Sequence, residues 1–131
     1  MTLADILADL VGASAERRRF AADQLARLEH DDLAGAVGPL LKTLENDLDS
    51  ATRNAAAWAL VKASPLSVAW LPHLFLALQS EHADVRAWVC TLLGNSARDD
   101  ARVRPMLEVV ANTDPDAEVQ WRAQTALREL G

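Results

Sequence analysis

Small and apolar residues recur along this chain at the three- and four-residue intervals that place them on one side of a helix. The clearest instance lies near the C-terminus, where Asp114 and Asp116 precede Val119, Ala123, Ala126 and Leu127. The same arrangement runs from Ser80 through Asp84 and Val85 to Val89, Leu92 and Leu93. Another runs from Asp47 and Asp49 through Thr52 to Ala56, Ala59 and Leu60, and a degenerate copy from Ser14 through Arg17 to Ala21 and Leu25. The leading positions Arg17, Thr52, Val85 and Val119 lie about 34 residues apart, and a fixed interval of that size marks stacked structural repeats.

The pattern predicts helices over 3–11, 15–29, 33–45, 51–63, 68–79, 83–96, 101–111 and 117–130, with no alternating strand pattern between them. His30-Asp31-Asp32 reads as a loop, and so do 46–49, 64–67, 98–100 and 112–116. Pro39 falls well inside its helix and should kink it by removing one hydrogen bond. Pro72 is near enough to a helix start to be tolerated. Eight helices joined by turns of a few residues make about four antiparallel pairs in one all-α domain, 1–131, with repeats of about 1–30, 31–64, 65–98 and 99–131.

A second landmark shares the same phase. Pro39, Pro72 and Pro105 are 33 residues apart, and each has a leucine two positions later, at Leu41, Leu74 and Leu107. An acidic cap, Val, Arg, then Ala and Ala-Leu at helical spacing resembles the second helix of a HEAT repeat, especially the short bacterial HEAT-like form of the phycobilin lyases. A proline in the first helix of each pair is similar to the same family. The resemblance covers nearly the whole chain and implies an α-α superhelix, a HEAT-like solenoid whose second helices line a concave wall. It also implies a structural ladder: Arg18, Arg53 and Arg86, one residue past the leading position, would pair with acids of the adjacent turn, and Gln120 would end the series.

Half of the 131 residues are hydrophobic, enough for a core of ordinary proportions. No apolar run approaches about 18 residues, so no membrane span is expected. The N-terminal stretch lacks a basic region and carries Asp5 and Asp9, against a signal peptide, and the expected location is cytoplasmic. The single cysteine, Cys90, reads as a small core residue. His30, His73 and His82 stand at no ligand spacing, so neither metal nor cofactor is expected. The acids in the turns read as helix caps, and no calcium-loop pattern is present. The net charge of -6 weighs against a surface that tracks nucleic acid. Eleven of the thirteen basic residues are arginine, however, and a local anion-binding face survives a negative total if they gather on one side.

The tryptophans point to function. At about 100° per residue from the leading position, Trp58, Trp88 and Trp121 fall on slots that the buried stripe leaves free, roughly opposite it, while Trp70 lies on a first helix and reads as outer-wall packing. Exposed aromatic residues on a concave wall are material for binding hot spots. Arg19, Asn54, Lys62, Thr91, Arg122 and Thr125 share those slots, which makes the wall aromatic, mildly basic and poor in carboxylates. The expected function is therefore non-catalytic: an interaction or scaffold module that binds a peptide or protein partner on the second-helix surface. The competing reading of each Trp is packing in the seam between repeats, and it is strongest for Trp88. Two other functions stay open. One is a bilin lyase or chaperone-lyase subunit, in which Trp and Arg would contact an acidic tetrapyrrole, and the other is a nucleic-acid-binding HEAT-like protein. Leu127 and Leu130 on the last helix leave room for an end-to-end homodimer.

Overall fold

The computed structural model describes residues 2–131. Their α-helices are α1 (Leu3–Leu10), α2 (Ala15–Leu25), α3 (His30–Leu33), α4 (Val37–Asn46), α5 (Ser50–Ala63), α6 (Leu71–Ala77), α7 (Ala83–Asn95), α8 (Val103–Thr113) and α9 (Ala117–Leu130). 3-10 turns occupy Ala34–Ala36 and Val68–Trp70. No strand occurs among the described residues, and no helix among them is long and apolar enough to cross a membrane. The helices group into two compact units, Met1–Ala63 and Ser64–Gly131.

Short polar side chains start several of these helices by accepting the backbone N–H groups that the first turn cannot use internally. Thr2 and Asp5 form a reciprocal capping box on α1, and Ser14 accepts from the Arg17 amide on α2. Asp49 accepts from Thr52, and Asp116 from Glu118 and Val119. In the first unit α1 packs on α2, and both α2 and α4 pack on α5. The core there is built of Leu10, Leu25, Leu33, Leu40, Leu44 and Leu60, with Ala56, Ala57 and Ala59 of α5 fully buried. In the second unit α6 packs on α7, and both α7 and α8 pack on α9, around Leu71, Leu74, Leu92, Leu93 and Leu107.

Three of the five prolines stand in the first turn of a helix. Pro39, Pro72 and Pro105 all lie within the first three residues of α4, α6 and α8, where the missing N–H would have had no partner in the helix. Pro39 therefore costs α4 no internal hydrogen bond, and the cause expected to kink the helix there is missing. The chain instead makes a 3-10 turn at Ala34–Ala36, and α4 starts only at Val37. His30-Asp31-Asp32 also differs from the expected loop. These residues open α3, where Asp31 and Asp32 sit in the first turn, the end of the helix dipole that favours negative charge, and Leu33 is buried below them. The expected packing of Trp70 is half met: it is half-buried, with its ring 5.4 Å from that of His73. Leu127 and Leu130 are each half-buried. The last carbonyls of α9 and its cap receive hydrogen bonds from Arg98, to Glu129, and from Arg104, to Gly131.

The approach of α7 to α9 is limited by one missing side chain. A Cβ built on Gly94 would lie 2.9 Å from Ala126 Cβ and 3.1 Å from its Cα. Gly94→Ala should therefore destabilise the second unit by about 1–3 kcal/mol, outweighing the roughly 1 kcal/mol by which alanine is the better helix former. Adding Ala126→Gly should recover part of the loss in a urea melt. A Gly94→Ala chain as stable as the parent would show that α7 and α9 part without cost.

Candidate binding face

One hydrogen bond recurs in every turn between a first and a second helix. The side chain six residues further on donates back to the turn's own carbonyl: Arg18 to Gly12 (3.0 Å), Arg53 to Asp47 (2.9 Å), Arg86 to Ser80 (2.8 Å) and Gln120 to Asp114 (2.5 Å). In two of these turns the accepting residue is an aspartate, and its carboxylate takes a guanidinium from the preceding second helix. Arg18 donates Nε and Nη2 to Asp47 at 2.7 and 3.2 Å, and Arg86 donates likewise to Asp114 at 2.8 and 3.2 Å. Each aspartate also accepts the amide two residues on, Asp49 or Asp116. Ser80 holds the equivalent place in the third turn, its hydroxyl accepting from the His82 amide. These bonds are two-pronged, charge-assisted and shielded from water, the strong class of side-chain hydrogen bond.

Tying the arginine next to each leading position fixes how the second helix is rotated. Thr52, Val85 and Val119 are 0% exposed, as are Ala56, Ala59, Leu92, Leu93 and Ala123. In the degenerate first copy the leading Arg17 is exposed, and Ala21, Ala22 and Leu25 carry the burial of α2. On the opposite side Trp58 is 56% exposed and Trp121 50%.

The expected site residues fall in both units. In the first, Arg19 on α2 and Asn54, Trp58 and Lys62 on α5 are all exposed. Arg19 borders a shallow depression that Phe20, itself 55% exposed, shares with Glu16 and Asp23. In the second, Trp88 and Thr91 on α7 are half-buried, as are Arg122 and Thr125 on α9. The structure brings three of these together: Arg122 Cζ lies 5.4 Å from the centre of the Trp121 ring and 5.8 Å from that of Trp88. Glu118 is a member that the sequence reading left out, although its spacing was the signal. It stands one turn before Arg122 and accepts from its Nε at 3.1 Å. Arg128 donates to the Thr125 hydroxyl at 3.1 Å. A surface pocket of about 440 Å3, edged by Val11, Lys42, Asn46 and Leu48 in the first unit, was likewise not expected. It is made by residues from separate helices that no single-helix pattern relates.

Residues 71–131 match a family model described as HEAT repeats. That stretch, a little under half of the chain, is similar to HEAT repeats. Similar solved structures include a crystal structure of an engineered protein from a structural genomics programme. It is 22% identical with a TM-score of 0.69, and the alignment covers 99% of this chain and 63% of that one. A designed armadillo repeat protein in complex with the peptide (KR)4 is 21% identical with a TM-score of 0.66, covering 98% of this chain and 64% of that one. The chain thus spans a little under two thirds of each of these proteins. At such identity the likeness shows the fold, an all-α, α-α superhelical repeat. No curated protein matches.

Two enclosed groups of the second unit have displaced titrations. Burial raises the Asp114 carboxyl, but the hydrogen bonds from Arg86 and the Asp116 amide, with the guanidinium charge, outweigh it and hold the group below its ordinary value. Burial, with help from Asp114, pushes the Cys90 thiol up to about 12, so it carries no thiolate near neutral pH. Among the described residues no group of three His, Cys, Asp or Glu side chains could hold a metal ion.

A depressed carboxylate stabilises the fold above the unfolded value of about 3.9 and stops doing so as pH falls through the lower folded value. Asp114→Asn should therefore cost about 2–3 kcal/mol near neutral pH. The gap to the parent chain should stay constant down to about pH 5 and close below about pH 4. Urea melts across that range test it, and a gap independent of pH would contradict the ion pair as its source. In the same melts Cys90 should react with a disulfide reagent only as the second unit unfolds.

Proposed function

We propose that this HEAT-repeat chain is a non-catalytic interaction module which holds a protein or peptide segment against its second-helix surfaces. The observation that carries the reading is the pair of half-exposed indoles, Trp58 and Trp121, on helices whose opposite sides are fully buried. A protein leaves so large an apolar ring in water at a cost, and aromatic anchors of this kind supply most of the energy of many interfaces. Asn54 and Lys62, one turn to either side of Trp58, with Arg19 on α2 of the same unit, and Thr91, Arg122 and Thr125 on the helices of Trp88 and Trp121, would form the polar surround of such an anchor. The designed armadillo repeat protein of similar fold holds a peptide, which supports peptide binding as a use of this architecture. The frame of arginines and turn aspartates, Arg18, Arg53 and Arg86 with their carbonyl and carboxylate partners, acts in this reading only to set the rotation of the helices.

Replacing Trp58 and Trp121 together by alanine should abolish capture of the partner retained by the parent chain. Its effect on the thermal midpoint should be small beside the ~3–5 kcal/mol that removal of a buried aromatic costs. A stability loss of that size, or undiminished capture, would overturn the reading.

A further inference from the structure

We infer that the second unit recognises an acidic segment, through a guanidinium that the protein already holds within cation–π distance of two of its own indoles. The inference rests on the binding-face reading above and adds the chemistry of the partner.

Arg122 lies within cation–π distance of both Trp88 and Trp121. Its Nε is tied to Glu118, so the side chain is held by two rings and one carboxylate. Among the described residues neither Nη atom of Arg122 makes a hydrogen bond, and the side chain is 37% exposed. The other held arginines differ. Arg18 and Arg86 spend both Nη atoms on turn carbonyls and aspartates. Arg122 is therefore fixed in place and still carries unused donors, and the cost of ordering its side chain is already met within the folded chain. One N–H from each Nη, in a planar fork, matches the two oxygens of a carboxylate.

The position of Arg122 also argues about what does not bind. A partner lysine or arginine gains its affinity for a tryptophan wall by laying its cation over an indole, and here this chain's own cation occupies that place on both rings. A basic segment would have to expel Arg122 and separate it from Glu118. An acidic segment adds to the arrangement as it stands. The net charge of -6 opposes such a partner only weakly, because charges more than about 8 Å away are screened at physiological salt.

The test uses three short fluorescein-labelled peptides with Leu between every third position, which is Glu in the first, Lys in the second and Gln in the third. Binding is read by anisotropy and by tryptophan emission. The Glu peptide should bind the full chain best, and Arg122→Gln should weaken it about tenfold or more, the loss expected for one charged hydrogen-bonded pair. Arg122→Lys, which keeps the charge but loses the fork, should recover only part. All variants should keep the helical spectrum and thermal midpoint of the parent. Preferential binding of the Lys or Gln peptide, lost in Trp121→Ala, would overturn the acidic-partner inference while leaving the binding face intact. Failure of all three peptides to bind would overturn the inference and remove support from the face as well.

Discussion

The structure depends on a single rotational constraint. A helix of the second rank can be buried only along the stripe that carries Thr52, Val85 or Val119 and the small residues after it, since these positions are wholly enclosed. The side chain next in sequence is tied to the turn six residues behind it, in all four turns. Greasy stripe and polar tether act from adjacent positions about 100° apart, so together they leave the helix no freedom to roll. What faces water is then decided by subtraction. Trp58 and Trp121 are exposed because every slot that could have hidden them belongs to alanine, leucine or valine.

Two aspartates show how economically the tether is built. Asp47 and Asp114 each accept a guanidinium from the preceding second helix on the carboxylate, a donor from the following helix on the carbonyl, and the amide that opens the next cap on Oδ1. One residue thus joins a first helix, its own second helix and the second helix before it. In both, one oxygen serves the arginine and the backbone together, and at Asp114 these bonds hold the carboxyl below its ordinary value, which couples its titration to folding. Elsewhere the helices need close backbone approach instead, and Gly94 against Ala126 supplies it.

Much of this was legible in the sequence. The stripe of α9 predicts its limits, 117–130, without error, because an acidic cap opens it and the apolar spacing never breaks. The 33-residue spacing of Pro39, Pro72 and Pro105 marks first helices correctly, yet the position of Pro39 within its helix was misjudged. Helix start is set by where the backbone ceases to be 3-10, and Ala34-Gly35-Ala36 carries no side-chain signal for that. Asp31 and Asp32 were ambiguous in principle, since the same acids serve a turn and the first turn of a helix. At the face, one-dimensional periodicity places Trp88, Trp121 and Arg122 on free slots but cannot say that a guanidinium reaches rings on both α7 and α9. That contact depends on the separation of the two helices, which Gly94 permits and no repeat pattern records.

Which indoles meet water decides where the binding face lies, and collisional quenching measures that directly. Chains retaining one tryptophan at a time, with phenylalanine at the other three sites, should show emission from Trp58 and Trp121 that is red-shifted and readily quenched by acrylamide. The Trp88 emission should be bluer and several-fold less accessible. Blue, weakly quenched emission from Trp58 and Trp121 would mean that the second helices are rolled away from the rotation described, and the binding face with them.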